Sequence, residues 1–210
     1  MPQNLIANIL SLTLFLVSLF ISLRAFYLYS QANSPRLFIL GLSMGILSFT
    51  AIASFIGDNV TSLTLNIKWF EYISQTVCFL FILLSLVRSS NTYLRRLMGW
   101  HTLVSALLLT LLLLSPILPA DFPDPGLTKT LLGGSRSLIC FIIFNYYLNV
   151  FMSKNMRFSF LMGTVFLLLS LGYWLNIFKY TLHNMLLADQ VGDLTRIFGL
   201  IILLMTIFLG

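Results

Sequence analysis

Four stretches of the chain contain no charged residue over about 20 or more mostly apolar positions, namely 5–23, 37–57, 97–120 and 158–178. A helix needs about 20 apolar residues to cross the hydrocarbon core of a bilayer, so each stretch is long enough to span a membrane. Continuous apolar runs also lack the period-2 alternation typical of membrane β-barrel strands. The four stretches are therefore predicted to be transmembrane helices, and they are numbered here as spans 1, 2, 4 and 6.

Three further apolar stretches have the length of a span but hold charged residues near one end, which makes them spans 3, 5 and 7. The predicted fold class is therefore all-α: a polytopic integral membrane protein whose whole chain, 1–210, is one seven-transmembrane-helix bundle. The seven predicted spans are about 5–23, 37–57, 69–87, 97–118, 131–153, 158–179 and 191–210.

The overall composition excludes several classes of protein. Hydrophobic residues make up 59% of the chain and charged residues only 9%, whereas a soluble domain has about 25% charged residues. A soluble enzyme, a disordered chain and a free nucleic-acid-binding domain are all excluded, because each needs a more polar surface. The predicted partner is the lipid bilayer, and nucleic acid is not a predicted partner. The expected location is the plasma or cytoplasmic membrane.

The charged residues are distributed unevenly between the two sides of the predicted bundle. The loops after spans 1, 3 and 5 collect seven basic residues and no acidic one, while all six acidic residues fall on the opposite side. Basic residues gather on the cytoplasmic side of membrane proteins, so the N-terminus is predicted outside and the C-terminus in the cytoplasm. The seven basic residues are Arg24, Arg36, Arg88, Arg95, Arg96, Lys154 and Arg157.

A short internal similarity indicates two related halves. The stretch Ser34-Pro35-Arg36, followed by Gly41, is similar to Asn155-Met156-Arg157, followed by Gly163, and each stretch opens the second span of a three-span unit. This similarity favours a 3+1+3 arrangement, with two parallel triplets of helices joined by span 4. Parallel repeats of this kind occur in small transporters.

Ionisable side chains inside a membrane are costly and are functional-site candidates by default. Arg136 and Arg196 lie about five and six residues inside spans 5 and 7, and Gln75 lies one turn below Glu71 on span 3. We therefore predict a polar ligand pocket open to the outer side, in which Glu71 pairs with Arg136 or Arg196 and the spare arginine faces an anionic group. The alternative is that the arginines reach the lipid headgroups and that Glu71 pairs with Lys68 at the interface. The predicted pocket residues are Glu71, Gln75, Arg136, His183, Asp193 and Arg196.

No sequence motif for catalysis, phosphate binding or haem attachment is present. The two cysteines, Cys78 and Cys140, lie in apolar runs without a neighbouring histidine and are predicted to be buried thiols. The protein is therefore predicted not to be an enzyme, with no catalytic residue, no cofactor and no metal site.

The run Lys68-Trp69-Phe70-Glu71-Tyr72-Ile73, ahead of an apolar span that ends in Val87-Arg88, carries a resemblance to a known family. It resembles the third helix of the seven-transmembrane sensor regions that lie N-terminal to many bacterial histidine kinases, and Asp193-Leu194-Thr195 at the start of span 7 is loosely similar as well. The resemblance implies a sensor module. Since no kinase follows within the 210 residues, it implies either a solitary module or one that signals through a partner protein.

Three functions are consistent with the sequence. The leading hypothesis is a non-enzymatic sensor or receptor that binds a small ligand, or a partner's membrane helix, in the outward pocket. The second is a small-solute transporter built on the three-helix repeat, whose polar site near the midplane could draw on Asn145, Asn149 and Asn176. The third is an accessory subunit of a larger membrane complex.

Overall fold

The computed structural model describes residues 2–59, 67–88, 90–114, 125–181 and 186–209. Within these ranges the chain forms seven α-helices and no strand, and every helix contains an apolar segment long enough to cross a bilayer. The prediction of an all-α chain with seven helices, each long and apolar enough to cross a membrane, is therefore confirmed. The helices are α1 (Pro2–Ala32), α2 (Pro35–Asn59), α3 (Ile67–Val87), α4 (Asn91–Leu113), α5 (Pro125–Lys154), α6 (Arg157–Thr181) and α7 (Leu186–Leu209).

Several helices extend beyond the apolar runs that predicted them. Helix α1 continues through Arg24 to Ala32, and α4 begins at Asn91, so that Arg95 and Arg96 lie within it. Apolar composition marks only the part of a helix that lies in hydrocarbon, whereas backbone hydrogen bonding continues the helix into the interface. These arginines, which were expected in loops, therefore lie on helices.

Two connections between helices consist of only two residues each. Asn33 and Ser34 join α1 to α2, and Asn155 and Met156 join α5 to α6. Both asparagines adopt the left-handed conformation, with φ values of 48° and 49°. Asparagine tolerates this conformation better than most residues because its short polar side chain can bond locally. Each connection therefore reverses the chain sharply, so the two joined helices can pack side by side.

The chain divides into two compact units, and the N-terminal unit comprises Leu14–Pro123. In this unit Ser22 Oγ donates a hydrogen bond to the Gly41 carbonyl at 2.8 Å. A Cβ atom at Gly41 would lie 3.3 Å from the Phe26 ring, so glycine permits the close approach of α1 and α2. Helices α2, α3 and α4 pack on one another through an apolar cluster that includes Ile39, Phe81 and Leu94.

The C-terminal unit comprises Met1–Thr13 and Asp124–Gly210, and within it α6 packs against both α5 and α7. Ser137 on α5 and Ser170 on α6 each donate a hydrogen bond to the other's carbonyl oxygen at 2.9 Å. Helices α6 and α7 meet at Gly172 and Gly192, where a Cβ atom added to either glycine would lie 2.9 Å from the carbonyl oxygen of the other. This close contact positions the polar side chains on both helices next to it.

Each unit contains one cysteine. Cys78 lies on α3 in the N-terminal unit and Cys140 lies on α5 in the C-terminal unit. Both side chains are fully buried and neither forms a disulfide. The prediction that both are buried thiols is confirmed.

Candidate functional site

Three of the predicted pocket residues come together in the C-terminal unit. Arg136 on α5 and Arg196 on α7 both approach the ring of Tyr173, which lies on α6 between them. Asp193 lies one turn before Arg196 on α7, and Asn176 lies on α6 one turn after Tyr173. We call these five residues the arginine–tyrosine cluster.

The two arginines of the cluster stack on the same aromatic ring. The guanidinium carbons of Arg136 and Arg196 lie 4.9 and 5.2 Å from the centroid of the Tyr173 ring. Both distances are within the range of about 6 Å for a cation–π interaction, which strengthens when the groups are removed from water. Arg136 is only 6% exposed and Tyr173 only 5%. The ring therefore helps to stabilise two positive charges in a poorly hydrated position.

The single carboxylate of the cluster, that of Asp193, is held by a residue of its own helix and by a residue of α6. Arg196 Nη2 donates to Asp193 Oδ1, and the Asn176 amide donates to the same oxygen at 3.3 Å. The side chains of Arg196 and Asp193 are 17% and 14% exposed, so the ion pair is mostly buried. The close contact between Gly172 and Gly192 makes this hydrogen bond possible, because it brings the Asn176 side chain next to α7 at Gly192.

Arg136 is positioned by its own helix and by the next residue. Its Nε donates to the Leu132 carbonyl at 3.1 Å, one turn earlier. Ser137 follows it and forms the reciprocal hydrogen bonds with Ser170. These bonds set the rotation of α5 relative to α6, and so they hold the guanidinium of Arg136 beside the Tyr173 ring.

The cluster contains two guanidinium groups and one carboxylate. Guanidinium groups are suited to carboxylate and phosphate-like groups, which they bind through two parallel hydrogen bonds. In the part of the chain that the structure describes, no group of three or more His, Cys, Asp or Glu side chains could hold a metal ion. What the cluster can do chemically is bind an anion.

The other three predicted pocket residues are Glu71, Gln75 and His183. Glu71 and Gln75 are on α3 in the N-terminal unit, where Glu71 Oε2 accepts a hydrogen bond from Ser54 at 3.3 Å and Gln75 is buried. His183 lies outside the described residues. Of the six predicted residues, the structure therefore brings Arg136, Asp193 and Arg196 together.

Two residues of the cluster were not predicted to belong to it. Tyr173 lies in a charge-free apolar run, where a tyrosine is usually a packing residue. Asn176 was assigned to a midplane solute site with Asn145, but its amide bonds Asp193, whereas Asn145 bonds the Phe141 carbonyl of its own helix at 2.8 Å. The sequence does contain one signal that could have identified Asn176. Asn176 precedes Asp193 by 17 positions, and Ser54 precedes Glu71 by the same number, so each acidic residue follows a polar residue at the same spacing.

Comparison of the chain with protein-family models, with curated proteins and with solved structures gives no match.

Proposed function

We propose that the protein is a non-enzymatic, seven-helix membrane sensor or receptor module that binds a small anionic ligand at the arginine–tyrosine cluster. The observation that carries this proposal is that two guanidinium groups from different helices stack on one buried tyrosine, with a single carboxylate beside them. Charged side chains within spanning helices are costly and are functional-site candidates by default. An anionic group on the ligand would accept hydrogen bonds from the two guanidinium groups.

The chemistry of the cluster restricts the ligand class. A carboxylate, sulfate or phosphate group could accept hydrogen bonds from both guanidiniums, while an apolar part of the ligand could lie against the neighbouring helix surfaces. With the N-terminus outside, the start of α5, the end of α6 and the start of α7 would face the outer side, where an extracellular ligand arrives. The resemblance of the run at 68–73 to sensor regions supports reception, with the output passing to a partner protein.

Replacing Arg136 with glutamine is expected to weaken binding of the anion by about tenfold or more. Hydrogen bonds to charged groups contribute about 1.5–3 kcal/mol, and 1.4 kcal/mol corresponds to a factor of ten. The purified protein would be titrated with acetate, glutamate, sulfate and phosphate, with affinity measured by calorimetry and by the thermal shift. Arg157→Gln is the control, since this arginine is exposed at the start of α6. Equal affinities in Arg136→Gln and the unmodified protein would contradict the proposal, as would a lack of binding by all four anions.

A second function, transport, is favoured by a correspondence between the two helix triplets. A shift of 122 positions (33 to 155) relates Asn33 to Asn155, the two left-handed residues that follow α1 and α5. The same shift (41 to 163) relates Gly41 to Gly163, and it relates the bounds of α2 to those of α6, each with 25 residues. The short sequence similarity aligns Ser34 with Asn155. That alignment differs by one position from the shift of 122 that relates the two triplets.

Hydrogen bonds between helices recur with the same shift. In each triplet a serine of the second helix donates to a carbonyl of the first helix, and a polar residue of the second helix donates to a carboxylate of the third. These bonds are Ser48 to the Phe15 carbonyl (3.3 Å) and Ser170 to the Ser137 carbonyl (2.9 Å), then Ser54 to Glu71 (3.3 Å) and Asn176 to Asp193 (3.3 Å). The recurrence supports a duplicated three-helix unit joined by α4, as in transporters with parallel repeats.

Uptake into proteoliposomes separates transport from reception. A transporter is expected to accumulate the same radiolabelled anion that the cluster binds, and Arg136→Gln should reduce the initial rate by about tenfold, in proportion to the lost affinity. A receptor is expected to bind the anion without uptake above that of protein-free liposomes. Uptake that is unchanged in Arg136→Gln would contradict a role of the cluster in transport.

A further inference from the structure

We infer that the exposed face of α4 binds one anionic phospholipid, whose phosphate is held by Arg88 and Arg96 and whose acyl chain lies along Leu103 and Leu107. This face belongs to the N-terminal unit, whereas the proposed anion site belongs to the C-terminal unit. The inference goes beyond the proposed function, and it does not depend on whether that function is reception or transport.

The two faces of α4 have opposite surroundings. On one face Trp100, Leu103 and Leu107 are each more than half exposed. A Cβ atom added at Gly99, next to Trp100, would meet no described atom beyond its neighbouring residues and its own helix backbone within 4 Å. Among the described residues, nothing therefore covers this face. The opposite face is packed, and its buried residues recur at a spacing of three or four positions: Leu94, Leu97, His101, Ser105, Leu108 and Leu112.

The exposed face changes in character along the helix. Arg96 is exposed and lies four positions before Trp100, which lies three positions before Leu103 and seven before Leu107. Side chains at this spacing lie above one another on a helix, so the four residues form one stripe. The stripe runs from a cation, through an aromatic ring of the kind that prefers the membrane interface, to apolar side chains. A phospholipid presents a phosphate, a polar interfacial region and a hydrocarbon chain in the same order.

The length of this stripe suits a lipid of one leaflet. Arg96 and Leu107 are 11 positions apart, which is about 16 Å along a helix. Half of the hydrocarbon core of a bilayer is about 15 Å thick. An acyl chain whose phosphate lies at Arg96 would therefore reach Leu107 within its own leaflet.

A second arginine lies beside the charged end of the stripe. The guanidinium carbon of Arg88 lies 5.8 Å from the centroid of the Tyr93 ring, within the range of a cation–π interaction. Tyr93 lies three positions before Arg96, so these two residues are neighbours on one face of α4. Arg88 and Arg96 therefore lie on the same side of the helix. Guanidinium groups bind phosphate through two parallel hydrogen bonds, which suits both arginines to one headgroup.

The charge around the stripe favours an anionic lipid over a zwitterionic one. No acidic residue occurs from position 72 to position 120, so no carboxylate of this segment competes for the arginines. In the predicted orientation this end of α4 meets the cytoplasmic leaflet, whose anionic lipids attract basic segments. Five of the seven basic residues on the predicted cytoplasmic side belong to the N-terminal unit, and all five are arginines: Arg24, Arg36, Arg88, Arg95 and Arg96.

The test compares phosphatidylglycerol and phosphatidylcholine with identical acyl chains, each titrated into the purified 210-residue protein in mild detergent and counted by native mass spectrometry. The unmodified protein should prefer phosphatidylglycerol. A basic residue near an anionic lipid surface strengthens the attraction about fivefold. The double variant Arg88→Gln/Arg96→Gln should therefore lower the affinity for phosphatidylglycerol by about 25-fold.

Lys154→Gln/Arg157→Gln is the matched control for this double variant. Both residues are exposed near the connection between α5 and α6, and the substitutions lower the net charge of the protein by the same amount. The control should keep the preference for phosphatidylglycerol. If Arg88→Gln/Arg96→Gln does not fold, the two single variants decide the question, each with an expected loss of about fivefold.

Four results would overturn the lipid site. Equal affinity for the two lipids would exclude recognition of an anion, and an equal loss in both double variants would show a general effect of charge. Displacement of the lipid by an equal concentration of glycerol 3-phosphate would identify a free phosphate as the ligand. A dimer that forms a disulfide through Leu107→Cys at saturating phosphatidylglycerol would place a second copy on this face.

The lipid site and the proposed anion site can be tested independently of each other. Arg136→Gln should keep the preference for phosphatidylglycerol, because Arg136 lies on α5 in the C-terminal unit. Arg88→Gln/Arg96→Gln should in turn keep the affinity for the small anions that the arginine–tyrosine cluster binds. Failure of one site is therefore distinguishable from failure of the other.

Discussion

Replacing Arg196 with glutamine is expected to destabilise the protein by about 2–3 kcal/mol. The substitution removes the cation that pairs with Asp193, and it also removes one of the two guanidiniums stacked on Tyr173. Breaking a fully buried ion pair by removing one partner costs about 3–5 kcal/mol, because the other charge stays buried. The two side chains keep 17% and 14% exposure, which lowers the expected loss. Thermal or denaturant unfolding of the purified protein in detergent measures it.

The double variant Arg196→Gln/Asp193→Asn separates the loss of a contact from the burial of a lone charge. With both charges removed, the free energy of unfolding is expected to return to within about 1 kcal/mol of the unmodified protein, since neutral replacements of a buried pair are often tolerated. The single variant should therefore be less stable than the double variant. If the double variant instead loses more stability than Arg196→Gln alone, burial of the unpaired carboxylate is not the reason for the effect.

Replacing Gly192 with alanine is expected to lower the free energy of unfolding by about 1–3 kcal/mol, the usual range for overpacking. Its Cβ atom would lie 2.9 Å from the Gly172 carbonyl oxygen, and it would also meet the Asn176 side chain. A backbone oxygen cannot rotate away as a side chain can, so α6 and α7 must separate. The separation would also weaken the hydrogen bond from Asn176 to Asp193, and anion affinity should fall together with stability.

Gly99→Ala is the matched control for this prediction. Gly99 lies within α4, where an added Cβ atom would meet no described atom beyond its neighbouring residues and its own helix backbone within 4 Å. Alanine is more favourable than glycine in a helix by about 1 kcal/mol, so this variant should be equally or more stable than the unmodified protein. Gly172→Ala should resemble Gly192→Ala. Opposite signs for the α4 and the α6–α7 variants are the expected pattern, and equal effects would show that the two helices do not meet closely.

The helices could be predicted from the sequence because hydrocarbon imposes a strict requirement on length and polarity. An apolar run ends where the hydrocarbon ends, but a helix does not, so the positions of Arg24 and Arg95 on helices could not be read from hydropathy. The left-handed conformation of Asn33 and Asn155 was not predicted either, because asparagine tolerates this conformation but does not require it. Each of these features depends on backbone hydrogen bonds rather than on composition.

The candidate site could be predicted in part because a charge within an apolar run is unfavourable by itself. Arg136, Asp193 and Arg196 are conspicuous for that reason, whereas Tyr173 looks like any other aromatic residue of a spanning helix. Its role arises only from the packing of α6 between α5 and α7. The glycine contact that brings Asn176 to α7 likewise joins two isolated glycines on different helices, and such a pair has no signature in one sequence.

The expected partner of Arg196 illustrates how local geometry competes with long-range pairing. The sequence hypothesis paired Glu71 with Arg136 or Arg196, whereas Arg196 binds Asp193, which lies three residues before it on the same helix. Residues three apart on a helix face each other, so little conformational entropy is lost when they pair. Spacing within a helix is therefore a better first guide to ion pairs than the chemistry of a predicted pocket.

The placement of the two cysteines gives each unit its own chemical reporter. Because Cys78 and Cys140 are fully buried, a thiol reagent can reach either of them only when the surrounding helices open. At reagent concentrations where reclosing is faster than labelling, mass spectrometry of the two peptides would give two opening equilibria from one unmodified protein, and thus the local stability of each unit. The halves of the chain can therefore be compared as folding units without adding a probe to either of them.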